Sequence, residues 1–502
     1  MALSRQTDRT DSKRQLLKNM NLNNSPVVPQ PLTSRYARLF ELKRIPLIAF
    51  LSLPLLALAD TKGGLSNDEV DPQSAILPAS GPIRIPFKYL PPIGLSKDDE
   101  AQENRPKRTP DQQHIADLNA AGKYQEVGTE GLALLSKEQP DEALQLIIAN
   151  SLAWTGRLKE AVPAYQGLTA GQYANDANVG IANIEHWRGR DDVAMPIYRS
   201  VLANEPGHAA ALEGAVLASR ELAPRTQLSF GGSSDSSEMQ RRSATVNHRW
   251  RDSTGARIME VETSGVVDRL PGTEASQQEV TARYEDVGLK LKPSVELSIP
   301  NQPGGTLYGS ARIRFSQDEQ ASLTVGRVNW GRMVSNGNAL ALGLTASHMG
   351  MTAAHGFSFG TLQGRFDYYD ISDTNQLLTT SLHLASTWRP IGNNVKPFVG
   401  METRDVKFFT PNYWSPAQGS GTLYGGLVGE WGSADWNFYA SGQTGVRLYG
   451  DAGTSWSVSS GGKHWLTKDM ALSMNVWAMS STRDSAVYRA QSANVSLEKL
   501  WR

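Results

Sequence analysis

The chain has 502 residues, which is long enough for two or three domains. Its 50 lysine and arginine residues balance 50 aspartate and glutamate residues, so nothing indicates a nucleic-acid-binding protein or a polyacidic tail. Cysteine is absent, which excludes disulfides, thiolate metal sites and a cysteine nucleophile.

The N-terminal segment has the charge and apolar order of an export signal. Four basic residues, Arg35, Arg38, Lys43 and Arg44, precede an apolar run over Ile45–Leu58. Small residues at Ala57 and Ala59 form a cleavage-site pattern. The run is too short to span a bilayer comfortably. We predict a signal peptide with a long n-region over residues 1–59, with Met20 as an alternative start and an uncleaved anchor as the alternative reading.

Residues 60–109 are rich in proline and charge, as in Pro91-Pro92 and the run Lys97–Glu100. Such a segment buries too little apolar surface to offset its ordering entropy. We predict a disordered linker there.

Residues 110–222 show helical periodicity and an internal repeat. Three pairs of residues recur 33 positions apart: Gly156 and Gly189, Ala161 and Ala194, Tyr165 and Tyr198. This resembles the tetratricopeptide repeat, in which small residues lie where paired helices cross and the aromatic fills the gap between them. About three repeats are visible. The resemblance implies an α-solenoid whose groove binds a partner, or one that is a spacer.

From residue 225 to residue 502 the helical period gives way to strands of about ten residues with alternating polarity. Leu472, Met474 and Val476 alternate with Ser473, Asn475 and Trp477, and Ala339–Leu344 shows a similar alternation of large and small residues. Nearly every strand alternates, which favours apolar-out, polar-in transmembrane strands over a soluble β-sandwich. We predict an antiparallel transmembrane β-barrel of about sixteen strands, with fourteen or eighteen as alternatives.

The connections fall into two classes, as expected for short periplasmic turns and longer outer loops. The predicted short turns are Asp252–Gly255, Gln317–Glu319, Gly432–Asp435 and Thr467–Asp469. The predicted long loops are Asp268–Ala275, Pro300–Gly305, Phe409–Gly421 and Asp451–Thr454. His348–His355 is also predicted to be a connection, and it is too long for a periplasmic turn.

Aromatic residues and the last strand support the same architecture. Six tryptophans are expected in interfacial girdles: Trp250, Trp330, Trp388, Trp431, Trp465 and Trp501. Ala493, Val495 and Leu497 lie on one face of the final strand, which ends at an aromatic residue. Lys499 interrupts this face.

No motif in the chain predicts catalysis. There is no His-Glu-x-x-His, phosphate-binding glycine loop or Gly-x-Ser-x-Gly motif, and the eight histidines have no metal-site spacing. We expect no enzyme activity, cofactor or metal. Alternation places eight residues in the lumen or substrate path: Glu260, Glu262, Arg312, Arg314, His383, Glu402, Arg404 and Trp477. The charged residues suit pore wetting and ion pairing, and Trp477 suits either sugar stacking or a girdle or plug contact.

A signal, a short repeat domain and a barrel of about sixteen strands together resemble the outer-membrane porins that export biofilm exopolysaccharides, namely poly-β-1,6-N-acetylglucosamine and cellulose. Tyr413-Trp414-Ser415-Pro416, in a predicted extracellular loop, is similar to a motif of such barrels. Those exporters carry many more repeats. A smaller group of repeat-plus-barrel proteins and phage-receptor-like barrels share parts of this pattern.

The resemblance implies an outer-membrane polysaccharide export porin with its repeats in the periplasm. Its expected partners are membrane lipid, the barrel insertion machinery, the polysaccharide and a periplasmic protein, but no nucleic acid. The alternative is an adhesion or assembly protein whose barrel is an anchor and whose repeats recruit a periplasmic partner. A general diffusion porin is disfavoured because such porins lack helical repeats.

Overall fold

A computed structural model describes residues 108–301, 307–315, 321–334, 336–357, 359–391, 394–483 and 486–502. The predicted signal peptide and nearly all of the predicted linker lie outside the described residues. Within them, seven helices precede the strands: α1 (Pro110–Ala120), α2 (Tyr124–Leu135), α3 (Glu142–Trp154), α4 (Leu158–Gln166), α5 (Ala174–Trp187), α6 (Asp191–Asn204) and α7 (Ala209–Leu222). No helix in this part of the chain has the length and apolarity that crossing a membrane requires.

The helices pack as a row in which each contacts the next, and one packing unit occurs twice. The buried Tyr165 hydroxyl donates to Asn150 Oδ1 at 2.6 Å, and the buried Tyr198 hydroxyl donates to Asn183 Oδ1 at 2.6 Å. The ring of Tyr165 lies directly against Gly180, as the ring of Tyr198 does against Gly214. Each ring therefore fills the space between two helices. Its buried hydroxyl needs a hydrogen-bond partner, and the adjacent helix comes so close that it needs a residue without a side chain there.

The tight turns between paired helices explain two of the repeated glycines. Gly156 (φ +83°) and Gly189 (φ +76°) adopt the left-handed conformation after α3 and α5. This conformation favours glycine, because glycine has no Cβ. Ala161 and Ala194, the other repeated small residues, are fully buried in the helical core.

Sixteen antiparallel strands follow and form one closed barrel in chain order. Their bounds are β1 (Arg225–Asp235), β2 (Gln240–Arg251), β3 (Arg257–Leu270), β4 (Thr273–Asp286), β5 (Ser294–Pro300), β6 (Tyr308–Arg314), β7 (Ser322–Asn329), β8 (Thr345–Phe357), β9 (Gly360–Ile371), β10 (Gln376–Ser386), β11 (Val395–Val406), β12 (Ser420–Gly432), β13 (Trp436–Gly450), β14 (Ala452–Trp465), β15 (Met470–Arg483) and β16 (Ala486–Leu500). Two short helices, α8 (Trp330–Met333) and α9 (Gly337–Ala341), lie between β7 and β8.

The barrel closes because β1 pairs with both β2 and β16, with Arg225 opposite Arg249 on one side and Leu500 on the other. Its outer surface is apolar at alternate positions, and the exposed residues there include Phe230, Val261, Leu297, Met351, Leu382, Leu423, Phe438, Met474 and Leu497. A closed barrel with an apolar outer surface is the outer-membrane solution to crossing lipid with strands. The predicted fold is confirmed, including the strand number.

The two ends of the barrel differ in their connections. The helix-side mouth carries the turns 252–256, 287–293, 433–435 and 466–469, together with the start of β1 and the end of β16. The far mouth carries the two longest connections, residues 330–344 and 407–419, which we call the inward loop and the aromatic loop. Asp252–Gly255, Gly432–Asp435, Thr467–Asp469 and Phe409–Gly421 were therefore placed correctly to within a few residues. Gln317–Glu319 and most of Pro300–Gly305 lie outside the described residues.

Three predicted connections are wrong. His348–His355 lies within β8, Asp268–Ala275 contains only a two-residue turn, and Asp451 alone separates β13 from β14. These segments are polar, which made them resemble connections. Polar residues also occupy the inward positions of transmembrane strands, so polarity alone does not mark the end of a strand.

Ala339–Leu344 is not a strand, because it forms α9 and the residues after it. Asn336 caps this helix by accepting hydrogen bonds from the backbone N–H groups of Asn338 and Ala339 at 2.9 and 3.3 Å. Alanine and leucine favour helices, and an apolar run this short cannot be assigned by period alone.

Two tryptophans are not in an outer girdle. Trp330 is fully buried against Tyr369 and Tyr413, and Trp465 lies beneath the guanidinium of Arg220. Both occupy strand ends, as predicted, but their rings serve contacts with a loop or a helix on the inner side.

We predict that Gly180→Ala destabilises the helical region, because the new Cβ meets the ring of the buried Tyr165. Overpacking of this kind costs about 1–3 kcal/mol, which exceeds the helix-propensity gain of about 1 kcal/mol. Thermal unfolding of the full chain in detergent, followed by helical circular dichroism, measures the change. Gly167→Ala is the matched control, since its Cβ meets backbone oxygens at no less than 3.6 Å. Equal melting temperatures for the two variants would contradict the packing role of Gly180.

Candidate functional site

Cross-strand pairing identifies the side chains that face the lumen. Arg241 on β2 binds Asp268 on β3 through two hydrogen bonds of 2.7 and 2.8 Å. Residues directly opposite each other in an antiparallel sheet share a face. The row containing Arg241 continues through Ser233, Ser492, Trp477, Ser459 and Ser441. The apolar residues of the outer surface occupy the alternate positions, so Trp477 faces the lumen.

The same reasoning places all eight sequence-selected residues on the inner surface, but in three different settings. Glu260, Glu262, Arg312 and Arg314 lie on one wall of β2 to β6. Trp477 lies on β15, which is separated from this wall by β16 and β1. The other three, His383, Glu402 and Arg404, lie between these regions on β10 and β11.

The first wall, which we call the charged wall, is a network of ion pairs centred on Arg283 of β4. The Arg283 guanidinium contacts Glu260 at 2.5 Å, Glu262 at 3.1 Å and Glu296 at 2.5 Å. On β6, two strands further round the ring, Arg314 pairs with Glu285 of β4 at 3.0 Å. All of these residues except Arg314, together with Arg312, line a cavity of about 190 Å³. Most charges on this wall are therefore held by one another.

Arg283 was absent from the sequence-based set. It stands at an inward position of β4, directly opposite Glu260 on β3. The alternation of Thr281, Arg283 and Glu285 carries the signal that would have found it, but pairing it with Glu260 required the strand register.

The second wall, which we call the neutral wall, is formed by β13, β14, β15, β16 and β1. Charged residues stand only near its ends, with Arg225, Lys463 and Glu498 towards the helix-side mouth and Asp235 and Arg447 towards the far mouth. Between them, every described inward position is uncharged. Its polar and aromatic residues include Ser229, Ser233, Tyr439, Ser441, Gln443, Ser455, Ser457, Ser459, Ser473, Asn475, Trp477, Ser481, Ser492, Asn494 and Ser496.

The neutral wall carries hydroxyl and amide groups beside an indole ring. A recess of about 610 Å³ lies against it, lined by Trp477, Ser233, Ser459 and Ser492 together with Arg241 at its edge. Part of the wall is internally bonded, as in the contact of 2.7 Å between the Ser441 and Ser459 hydroxyls. An uncharged ligand with many hydroxyl groups fits this chemistry.

His383, Glu402 and Arg404 are enclosed by neighbouring side chains. The His383 ring stacks on Phe398 with centroids 5.0 Å apart and contacts the Tyr424 hydroxyl at 3.3 Å. Glu402 is buried. Arg404 donates to the backbone carbonyl of Trp414 at 3.1 Å, and its guanidinium lies over that indole ring, 5.1 Å from the ring centroid. Arg404 thus holds the aromatic loop.

Two loops narrow the far mouth. In the inward loop, Arg332 donates to the Ser264 hydroxyl at 2.8 Å, and its backbone carbonyl accepts from Arg241 at 2.8 Å. Leu340 packs on Val266 of β3. This loop leaves the barrel between β7 and β8, so its contacts with β2 and β3 take it across part of the lumen.

The aromatic loop meets the inward loop at one ring contact. Tyr413 lies edge-on to Trp330 with centroids 5.4 Å apart, and its hydroxyl donates to Asp373 at 3.0 Å. Ser415 fixes the loop backbone by donating to the carbonyl of Thr410 at 2.9 Å. Of the Tyr413–Pro416 motif, Tyr413 and Ser415 therefore shape the loop, and Trp414 supplies its cation–π partner.

The helical region is fastened to the helix-side mouth at turns that lie far apart in the barrel. Arg220 of α7 pairs with Asp435 in the β12–β13 turn at 2.9 Å. The Lys292 ammonium group in the β4–β5 turn donates to the backbone carbonyl of Arg188. Counting from β4 to β12, these turns are eight strands apart in a ring of sixteen. The helices therefore reach across the mouth.

Buried charges support this attachment. Arg251 of β2 pairs with Asp191 of α6 at 3.2 Å, and the same carboxylate contacts His186 Nδ1 at 2.5 Å. Burial is the largest single influence and would lower the pKa of His186, but the hydrogen bond to Asp191 and the negative charges of Asp191 and Glu221 together outweigh it and raise the pKa. Similarly, burial opposes ionisation of Glu221, yet the guanidinium groups of Arg225 and Arg249 hold its pKa below the ordinary value.

The described residues contain no group of three or more histidines and carboxylates that could hold a metal ion. The close acidic pair Glu260 and Glu262 shares the Arg283 guanidinium. A carboxylate engaged in this way is part of a charge network.

No protein-family model matches the chain, and no curated protein matches it. Solved structures are similar over the barrel. A bacterial polysaccharide outer membrane secretin is 11% identical and covers 56% of this chain and 99% of its own, with a TM-score of 0.46. The outer membrane protein OprD from Pseudomonas aeruginosa is 10% identical and covers 55% of this chain and 93% of its own, with a TM-score of 0.32. At these identities and TM-scores the likeness carries no argument about cargo.

We predict that Arg283→Ala makes the pore more selective for cations. The substitution leaves three lumen carboxylates without their shared guanidinium. A unit charge acting over about 8 Å of water changes an ion's energy by about 0.5 kcal/mol, so the potassium-to-chloride permeability ratio rises at least about twofold. Reversal potentials across a salt gradient measure it, with Arg283→Lys as the charge-conserving control. An unchanged ratio in Arg283→Ala would show that ions do not pass this wall.

Proposed function

We propose that this chain is an outer-membrane channel that exports a neutral polysaccharide. The supporting observation is the division of its lumen into a charged wall and a neutral wall with Trp477 at its recess. A polymer sliding past fixed, unpaired charges would be slowed by ion pairing or desolvation, whereas hydroxyl groups and an aromatic face offer weak, repeated contacts.

The charged wall is compatible with this cargo because its charges satisfy each other. Arg283 and its three carboxylates are mutually bonded, so they present less field to a passing chain than isolated charges would. By contrast, Gln443 Oε1, Ser481 Oγ and Asn494 Oδ1 on the neutral wall are buried without a protein hydrogen-bond partner. Such buried atoms need water, whereas the half-buried hydroxyl groups of Ser233, Ser459 and Ser492 offer donors and acceptors to sugar hydroxyl groups.

The helical region then lies in the periplasm and is of the tetratricopeptide-repeat type. This assignment is supported by the recurrence of Tyr165, Asn150 and the adjacent glycine contact in the next unit. Because the helices cross the helix-side mouth, a polymer delivered by a periplasmic partner passes beside them to enter the barrel. The chain needs no catalytic group for this task, and we propose no enzyme activity, cofactor or metal.

One observation favours a second function. Both mouths carry protein, with the helical region at one and two loops at the other. A barrel closed in this way suits an outer-membrane anchor whose helices recruit a periplasmic assembly partner without transport.

The export proposal predicts that a neutral glucose or N-acetylglucosamine hexamer blocks single-channel current when added at the helix side. An anionic galacturonate hexamer blocks less. Trp477→Ala weakens the block about fivefold, since an aromatic contact is worth about 1 kcal/mol, and Trp477→Phe retains most of it. Heat-modifiable migration checks that each variant is folded.

The two functions separate in a variant whose inward loop is replaced by a short glycine-serine linker. Export predicts a larger current that the hexamers still block. Absence of any current in this folded variant would reject export and support the anchor.

A further inference from the structure

A second cavity, of about 400 Å³, lies at the far mouth outside the recess of the neutral wall. The aromatic loop forms one side of it, through Phe409 and Trp414. The β1–β2 connection and the start of β16 form the other side, through Ser236, Ser237 and Tyr488. Its volume falls in the range of small-ligand sites, which is about 300–1,000 Å³.

The cavity continues the line of the neutral wall. On β1, Ser233 lines the recess and Asp235, two residues further along the strand, lines the cavity. On β16, Ser492 lines the recess and Tyr488 lines the cavity. Two to four residues of strand correspond to about 7–13 Å, so a chain leaving the recess along this wall reaches the cavity next.

The lining suits an uncharged, hydroxyl-rich ligand. Phe409 offers an aromatic ring that is 61% exposed. Asp235 is the single acidic or basic residue among the lining residues, and its oxygens already accept hydrogen bonds from the Tyr488 hydroxyl at 3.0 Å and from the backbone N–H groups of Ser237 and Met239 at 2.8 and 3.1 Å. These neutral donors occupy much of the hydrogen-bonding capacity of Asp235, while the carboxylate keeps its single negative charge.

The cavity is also held in shape before any ligand arrives. The backbone N–H of Arg489 donates to the Ser236 hydroxyl at 3.0 Å, which ties the β1–β2 connection to β16. Ser415 fixes the other side through its bonds with Thr410. A site organised in advance loses less entropy on binding.

We propose that this cavity is an exit subsite that binds sugar units of the exported neutral glycan, with Phe409 as its stacking platform. The inference rests on the proposed function and adds a second contact point beyond Trp477. A chain held at both points resists sliding back between successive additions at its other end.

Sided addition of the glucose hexamer to single channels tests this. The expected result is that Phe409→Ala shortens blocking events at least fivefold when the hexamer enters from the far mouth. Events begun from the helix side, where Trp477 is met first, change less than twofold. Phe409→Tyr, which keeps the ring, behaves like the parent protein.

Three outcomes overturn the exit subsite while leaving export standing. One is block from the far mouth that is unchanged in Phe409→Ala; another is an equal change from both sides. The third is a rise in ion current with unchanged event lengths, which makes the loop a gate only. Failure of the export proposal gives a different result. The parent channel then conducts ions, but hexamers block it from neither side.

If the barrel conducts no current, binding is measured instead, by equilibrium dialysis of the same hexamer against the detergent-solubilised protein. Binding that survives Trp477→Ala should fall at least fivefold when Phe409→Ala is added. Survival of that binding in the double variant would overturn the subsite.

Discussion

Closure of the strand ring between β1 and β16 is the constraint on which the rest of the structure depends. In hydrocarbon no water satisfies an open strand edge, so every backbone donor and acceptor must be paired within the barrel. Pairing of Arg225 with both Arg249 and Leu500 completes the ring. Once it is closed, alternate side chains must face lipid or lumen. The apolar set that includes Leu228, Leu472 and Leu497 is thereby committed to lipid, and most polar side chains at the level of these residues are directed inward.

The inward residues are sorted around the ring rather than mixed. Arg283 gathers three carboxylates on β3 and β5, so the charges of that wall are partly compensated and cost less to enclose than isolated charges. Hydroxyl and amide groups occupy the adjoining wall around Trp477, which runs from β13 through β16 to β1. Loops and helices then narrow the two ends, and the neutral wall leads from the recess to the cavity beside Phe409. This sorting leaves one uncharged track along the lumen, on which the proposed export of a neutral glycan depends.

Local pattern predicted much of this fold because lipid enforces a period of two on nearly every strand. The lumen orientation of Glu260 and Trp477 followed from that period alone. The inward loop did not, since an apolar run such as Ala339–Leu344 reads equally as strand or helix and Asn336 decides between them. The pairing of Arg283 with Glu260 could not be predicted either, because it depends on the register between β3 and β4. Likewise, nothing local to Trp465 reveals that Arg220, far away in sequence, covers its ring.

The most direct test of the neutral track uses the absence of native cysteine in the chain. Ser310 lies opposite Glu296 and lines the cavity of the charged wall. Ser459→Cys on the neutral wall and Ser310→Cys on the charged wall each provide one lumen thiol, and Met474→Cys on the lipid-facing surface is the control. Modification by a charged, membrane-impermeant thiol reagent is measured with and without the glucose hexamer. The account predicts that the sugar protects the Ser459→Cys thiol several-fold while the Ser310→Cys thiol reacts as before. Equal protection at both positions, or none at Ser459→Cys in a conducting channel, would contradict it.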